Sequence, residues 1–173
     1  DGFMVIGMTI VIVCGAFDMS VGSSMAFCGL VAALVLRSHL PIGLAVIAAL
    51  AAGTVVGWVN GTIVTRLRIN PFITTLGMMS ILRGVVQVVT RSAPPTGFPP
   101  GFLKIAWGTV FTIHLPWGPL EVRLPVVLLI AAMIAGDFFL RRLAFLRQVY
   151  FVGSNEEAAR LTGIPTAWVK TFA

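Results

Sequence analysis

Residues 42–65 read IGLAVIAALAAGTVVGWVNGTIVT, twenty-four consecutive positions without an ionisable side chain. About 20 apolar residues cross a hydrocarbon layer as a helix, so this stretch is long enough to span. Lipid then dictates its form. With no water to bond to, each backbone N–H must find a carbonyl inside the segment, as it does in an α-helix. The whole chain carries the same message: of 173 residues, 58% are hydrophobic and 10% charged, against about 25% charged in soluble domains. The fold class that follows is all-α, a polytopic transmembrane helical bundle.

Four further apolar stretches flank this one, at Phe3–Phe17, Val21–Leu36, Pro71–Thr90 and Leu124–Leu140. Each is bounded by charge, proline or small polar residues. Pro71 and Pro125 fall in first turns, where a missing N–H costs nothing. The first two stretches are short for a full crossing, so tilted or broken helices are expected there. The chain starts at Asp1 without Met and stops at Thr171-Phe172-Ala173 as a new apolar run begins, and is expected to be a fragment of a larger membrane domain. Between the fourth and fifth stretches, Pro94-Pro95, Pro99-Pro100, Pro116 and Pro119 alternate with Phe98, Phe102, Trp107 and Trp117. That composition predicts a loop with interfacial aromatic anchors.

The net charge is +6, but the basic residues are scattered at the ends of apolar runs and form no block to follow a phosphate backbone. No nucleic-acid partner is expected. Arg66 and Arg68 share one short loop, and Arg141, Arg142, Arg147, Arg160 and Lys170 lie in the next loop on the same side. The excess of positive charge makes that side cytoplasmic. Arg37, Arg91, Lys104 and Arg123 then lie outside, as do His39 and His114. Cys14 and Cys28 sit within apolar stretches as small hydrophobes, and two cysteines and two histidines far apart give no metal-ligand spacing. No metal is expected.

Gly53, Gly57 and Gly61 form two overlapping small-residue steps, which give one side of the third helix a flat face for close helix packing. Asn60-Gly61-Thr62 matches a glycosylation acceptor, but its place inside an apolar helix near the cytoplasmic end discounts it.

Three groups of residues exceed what packing needs. Gly15 to Ser23 interrupts two apolar stretches with Asp18, Ser20 and Ser23, any of which could cap the following helix. Two readings are open: a turn at the membrane surface, or a discontinuous helix facing a polar pathway. On the fourth stretch, Ser80, Arg83, Gln87 and Thr90 recur at helical spacing. Arg83 lies about 18 Å along the helix from Pro71, well inside the bilayer, so its stripe should face protein or water. Its alternative role is an arginine that only pins the bundle. Finally, Ser154-Asn155-Glu156-Glu157 has the form of a capping box with Ser154 as cap, and Gly163 with Pro165 provides a stop. A helix of about two turns is expected there, lying on the membrane or docking a cytoplasmic partner. Asp137, four residues before Arg141, is read as a surface pair.

Taken in order, Asp18-Met19-Ser20-Val21-Gly22-Ser23, Asn60-Gly61, Pro71-Phe72-Ile73-Thr74-Thr75-Leu76-Gly77, Ser80-Ile81-Leu82-Arg83-Gly84 and Gly153-Ser154-Asn155-Glu156-Glu157-Ala158-Ala159-Arg160-Leu161-Thr162-Gly163-Ile164 resemble the ribose-type, carbohydrate-uptake permease subunits of bacterial ABC importers. The likeness runs over nearly the whole chain. It implies a multi-pass protein of the inner (plasma) membrane that pairs with a second permease subunit. Its other partners would be a periplasmic solute-binding protein and a cytoplasmic ABC ATPase. Residues 1–173 would be a transmembrane permease domain fragment, with a periplasmic loop near 91–123 and a cytoplasmic coupling-helix loop near 141–166. The resemblance makes Ser154, Asn155, Glu156, Glu157, Ala158, Ala159, Arg160, Leu161 and Gly163 the ATPase-coupling helix. Family members often carry a small polar residue and Ile where this chain has Ala16-Phe17.

The expected function is translocation of a small polar solute, a monosaccharide in the first instance, without chemistry or a cofactor. Asp18, Ser20, Ser23, Asn60, Ser80, Arg83 and Gln87 are the candidates for its path. Lys104 and Lys170 lack the Gly-Lys-Ser/Thr setting of a phosphate-binding loop, so ATP would be bound by the partner ATPase. The rival is an ATP-independent channel or secondary carrier, for which Asp18 and Arg83 would be the ionisable groups. An intramembrane enzyme is disfavoured, because neither histidine sits beside a nucleophile and base.

Overall fold

A computed structural model of the chain describes residues 2–115 and 118–172. The helices are α1 Gly2–Val13, α2 Val21–Arg37, α3 Ile42–Arg66, α4 Pro71–Thr90, α5 Pro100–Trp107, α6 Leu124–Arg142, α7 Ala144–Ser154, α8 Glu156–Leu161 and α9 Thr166–Phe172. The helices α3, α4 and α6 are long and apolar enough to cross a membrane, and α1 and α2 are shorter apolar helices. All five predicted stretches are therefore helical, with ends within a few residues of those expected.

The turns explain where the helices stop. After Val13 the chain enters the left-handed region at Gly15 (φ 78°), and the Ala16 and Gly15 N–H groups bond back to the Val11 and Ile12 carbonyls. This closes the helix end as a Schellman motif, which favours glycine at that position. At the other turn Asn70 caps α4, its side-chain oxygen accepting from the Phe72 N–H at 2.9 Å, with Pro71 at the first helical position.

Buried residues are few, and eight of them form two apolar clusters. Ala32, Leu36 and Ala45 join α2 to α3, and Val35, Ile42, Ala49, Phe98 and Phe102 pack around them. The ring pair Phe98–Phe102, 5.5 Å between centroids, thereby seats the start of α5 on the α2–α3 end. The second cluster gathers Cys14, Val149, Val152, Ala159 and Val169 from α7, α8, α9 and the end of α1. Both cysteines are free, Cys14 in this core and Cys28 half-buried, as hydrophobes would be. By contrast α6 has no buried residue. An apolar helix touched only lightly by α1, α5 and α7 keeps most of its surface for lipid or for further protein.

The expected loop between α4 and α6 is more ordered than its prolines suggested. Besides α5 it holds an antiparallel pair, β1 Thr109–Leu115 and β2 Gly118–Arg123, with Phe111 opposite Val122 and Thr112 opposite Glu121. Pro119 is tolerated because a two-stranded ribbon has only edges, where a missing N–H need not break a ladder. Of the anchors, Trp107 stacks under the Arg123 guanidinium at 5.2 Å; Pro116 and Trp117 lie outside the described residues.

Candidate functional site

The break between α1 and α2 is the most densely bonded polar feature of the described chain. Asp18 Oδ1 accepts from the Ser20 N–H at 2.7 Å and from the Ser20 hydroxyl at 2.6 Å. A carboxylate only accepts, so the Ser20 proton is committed to it. The Ser20 oxygen is then free to accept from Asn60 Nδ2 at 3.0 Å. The Met19 N–H donates to Thr75 Oγ1 at 3.1 Å, and that hydroxyl donates in turn to the Pro71 carbonyl at 2.9 Å. Ser20, Asn60 and Thr75 are all buried. Two adjacent sets of bonds thus tie the break, one to α3 and the other to the first turn of α4. Ser20 occupies the N-cap position of α2 but makes no side-chain cap bond, and Ser23 donates to the Ser20 carbonyl at 2.9 Å. A cap needs an oxygen that accepts a helix N–H, and the Ser20 oxygen accepts from Asn60 Nδ2 instead.

Asn60 precedes the end of α3 at Arg66 by six residues, about 9 Å along the axis. The polar break is therefore packed well inside the length of a spanning helix. Beside it lies a cavity of about 420 Å³, with Asp18, Thr54, Gly57, Trp58, Asn60 and Thr75 on its walls. The α9 residues Lys170, Thr171 and Phe172 border it too.

The three glycines of α3 divide their work. A Cβ at Gly53 would stand 3.2 Å from Cys28 Sγ of α2, and one at Gly61 would stand 2.7 Å from Thr171 Cα of α9. Gly57 meets nothing within 4 Å and faces the cavity instead.

Not all expected path residues meet there. Ser80, Arg83 and Gln87 are exposed on α4, while its buried residues are Thr74, Thr75 and Leu82. Ser80 bonds only to the Leu76 carbonyl of its own helix, at 3.1 Å. The polar stripe looks outward from the described bundle, and Asp18, Ser20 and Asn60 look inward.

The short helix α8 forms where the sequence placed it, but with a different cap. Asn155, not Ser154, is the N-cap: its side-chain oxygen accepts from the Ala158 N–H at 2.9 Å. Ser154 ends α7 and donates to the Tyr150 carbonyl. The capping box is thereby lost, since Ala158 rather than Glu157 takes the third helical position. The reason lies in α7, whose Val149 and Val152 are buried against Cys14 and hold the helix through Ser154. Gly153 allows this approach, because a Cβ there would run into the Val13 carbonyl. At the far end, Gly163 has φ 84°, and the Ile164 and Gly163 N–H groups bond to Ala159 and Arg160 carbonyls. This is the same Schellman ending as that of α1. Ala159 is buried in the second core cluster, whereas Glu156, Glu157, Ala158 and Arg160 are exposed and Leu161 is 83% exposed.

Sequence reasoning missed Thr75, Lys170 and Thr171. Thr75 stands in the Pro71–Gly77 run and could have been found there. Lys170 pairs with Glu156, fourteen residues earlier, a contact without a local signal. No cluster of three or more metal-ligand side chains occurs among the described residues.

The family model described as "Branched-chain amino acid transport system / permease component" matches residues 2–173. The chain is 39% identical over 171 residues to the ribose import permease protein RbsC of Escherichia coli (strain K12), covering 98% of this chain and 51% of that protein. It is 32% identical to the ribose import permease protein RbsC of Bacillus subtilis (strain 168), over 99% of this chain and 51% of the relative. To the L-arabinose ABC transporter permease protein AraH of Azospirillum brasilense it is 31% identical, over 98% of this chain and 47% of the relative. The chain thus spans about half the length of the curated relatives it matches. No solved structure matches it.

Proposed function

The chain belongs to this family of transport permease components, and from that premise we propose that it is part of the membrane-crossing subunit of a binding-protein-dependent ABC importer for a monosaccharide. It is a multi-pass protein of the bacterial inner membrane and a transport component rather than an enzyme. In the proposed complex a periplasmic binding protein delivers the solute, a second permease subunit completes the pathway, and a cytoplasmic ATPase binds and hydrolyses ATP.

The observation that carries this reading is the two-sided setting of α8. Its Ala159 side is fixed in the core shared with α1, α7 and α9, so a push on α8 moves packed helices rather than a loose loop. Its other side offers Leu161, nearly bare, with Glu157 and Arg160 exposed on the same short helix. That is the form of a small docking element: an apolar anchor rimmed by charge. We assign it to the ATPase. Arg66, Arg68, Arg141 and Arg142 then lie on the cytoplasmic side, in keeping with the bias of positive charge. Asp18, Ser20 and Asn60, with Ser23 beside them, form the polar part of the pathway within the subunit, and hydroxyl, amide and carboxylate groups suit a solute rich in hydroxyls. Ser80, Arg83 and Gln87 belong to a second polar face, turned toward whatever covers α4.

The test is affinity purification of the full-length permease with its ATPase from detergent, for wild type, Glu157→Lys and Leu161→Ala. Both variants should insert normally and recover clearly less ATPase. Recovery at wild-type stoichiometry in both would remove α8 from the coupling role. A preparation free of ATPase that still moved solute would point to a channel or secondary carrier.

A further inference from the structure

The α9 helix borders the Asp18–Asn60 cavity and is held from two sides. Toward α3, Thr171 packs so closely on Gly61 that no Cβ would fit between them, and its hydroxyl is 3.0 Å from that of Thr65. Toward α8, Lys170 Nζ pairs with Glu156 Oε2. Between these contacts Val169 is fully buried against Ala159, Val149, Val152 and Cys14. Val169 and Ala159 thus share one core, while the two residues after Val169 line the cavity. The cavity's border is thus in packed contact with α8 as well as with α3.

We propose that α9 is a movable floor of the Asp18–Asn60 cavity and that the Glu156–Lys170 ion pair is the latch that keeps it closed against α8. This deepens the transport reading above by naming the residues through which a partner seated on α8 would open or close the polar site. Glu156 is half-exposed and Lys170 mostly covered, so a docking surface can reach the pair at its Glu156 end and compete there for the carboxylate. Such a pair supports a modest bias between two arrangements, enough to shift a balanced equilibrium but not to freeze it. Gly61 fits the same role, since a contact without side-chain interlocking lets one helix slide on another.

The test uses the full-length permease with Cys14→Ala and Cys28→Ala and a reporter cysteine, Val64→Cys, at a half-buried cavity position. The readout is its rate of reaction with a small hydrophilic thiol reagent, without ATPase or ATP. Glu156→Gln and Lys170→Gln should each raise the rate about two- to fivefold, the factor a partly exposed ion pair supports. Exchanging the charges, Glu156→Lys with Lys170→Glu, should return it toward wild type. Asp137→Asn, which breaks the exposed Asp137–Arg141 pair, serves as the charge-loss control and should leave the rate alone. Two single variants keep the test readable if one fails to fold. An unchanged rate in the single variants, or a rate as high in the exchanged protein as in either, would overturn the latch. Because no partner is present, failure of the importer reading would show separately, in the ATPase purification.

Discussion

Ser20 has one hydroxyl and serves two helices with it. It donates to Asp18 and accepts from Asn60, so Ser20→Ala leaves a buried amide without a partner. A buried unsatisfied group costs about 1–3 kcal/mol, and thermal unfolding in detergent should show a clear fall in midpoint. Ser23→Ala removes only a bond to the Ser20 carbonyl of the same turn and should shift the midpoint much less. Equal shifts would contradict the bonding described. The cap of α8 gives a second residue-scale comparison: Asn155→Ala should destabilise that helix by about 1 kcal/mol, read as faster local hydrogen exchange at Glu157 and Ala158, while Ser154→Ala should leave the exchange unchanged. The reverse order would restore Ser154 as the cap. Both polar sites were visible in the sequence, because acids, hydroxyls and amides amid apolar residues need partners. Which atom bonds which was not visible. Two adjacent residues, Ser154 and Asn155, were both good caps, and the choice fell to the packing of α7.

At the scale of elements, the flat face of α3 makes a prediction that separates its glycines. Gly61→Ala sets a Cβ against the backbone of Thr171 and should push α9 away, lowering stability and raising reagent access to the cavity. Gly57→Ala meets open space and should be tolerated, even gaining a little helix propensity. If both behave alike, α9 does not sit where it is described. The two faces of α4 invite a related test. With Cys14 and Cys28 replaced, Arg83→Cys should react with a hydrophilic thiol reagent at a rate that differs between ATP-bound and nucleotide-free complex; inertness in every state would leave Arg83 a packing residue. The spans were legible from hydrophobic length and proline placement alone, α4 to the residue, and the Asp137–Arg141 pair from its spacing, observed at 2.8 Å. The β1–β2 ribbon was not legible, because its prolines resemble loop punctuation and its pairing is settled across the two strands.

For the whole molecule, the distribution of burial is the telling feature. Large apolar side chains such as Ile47, Val88 and Trp58 are more than half exposed, and α6 has no fully buried residue. In water such a surface would aggregate; in a bilayer it is a set of faces for lipid and protein. Order and polarity concentrate at one end instead, where α7, α8 and α9 close on the α1–α2 break and on α3. The proposed transport role calls for this combination: a polar site along the spanning helices and a packed route from it to the element assigned to the ATPase. Both ends of the proposed route, the Asp18–Asn60 residues and α8, are among the residues that the sequence singles out. The contacts of the proposed route, through Val169, Lys170 and Thr171, join residues far apart in the chain and needed the structure.

The most direct test of this account is uptake of labelled monosaccharides, ribose first, into proteoliposomes holding the full-length permease with its ATPase and the solute-binding protein outside. The account predicts accumulation that requires ATP on the ATPase side and the binding protein on the other, and that is lost in Leu161→Ala. Accumulation driven by an ion gradient, with neither ATPase nor binding protein present, would contradict it.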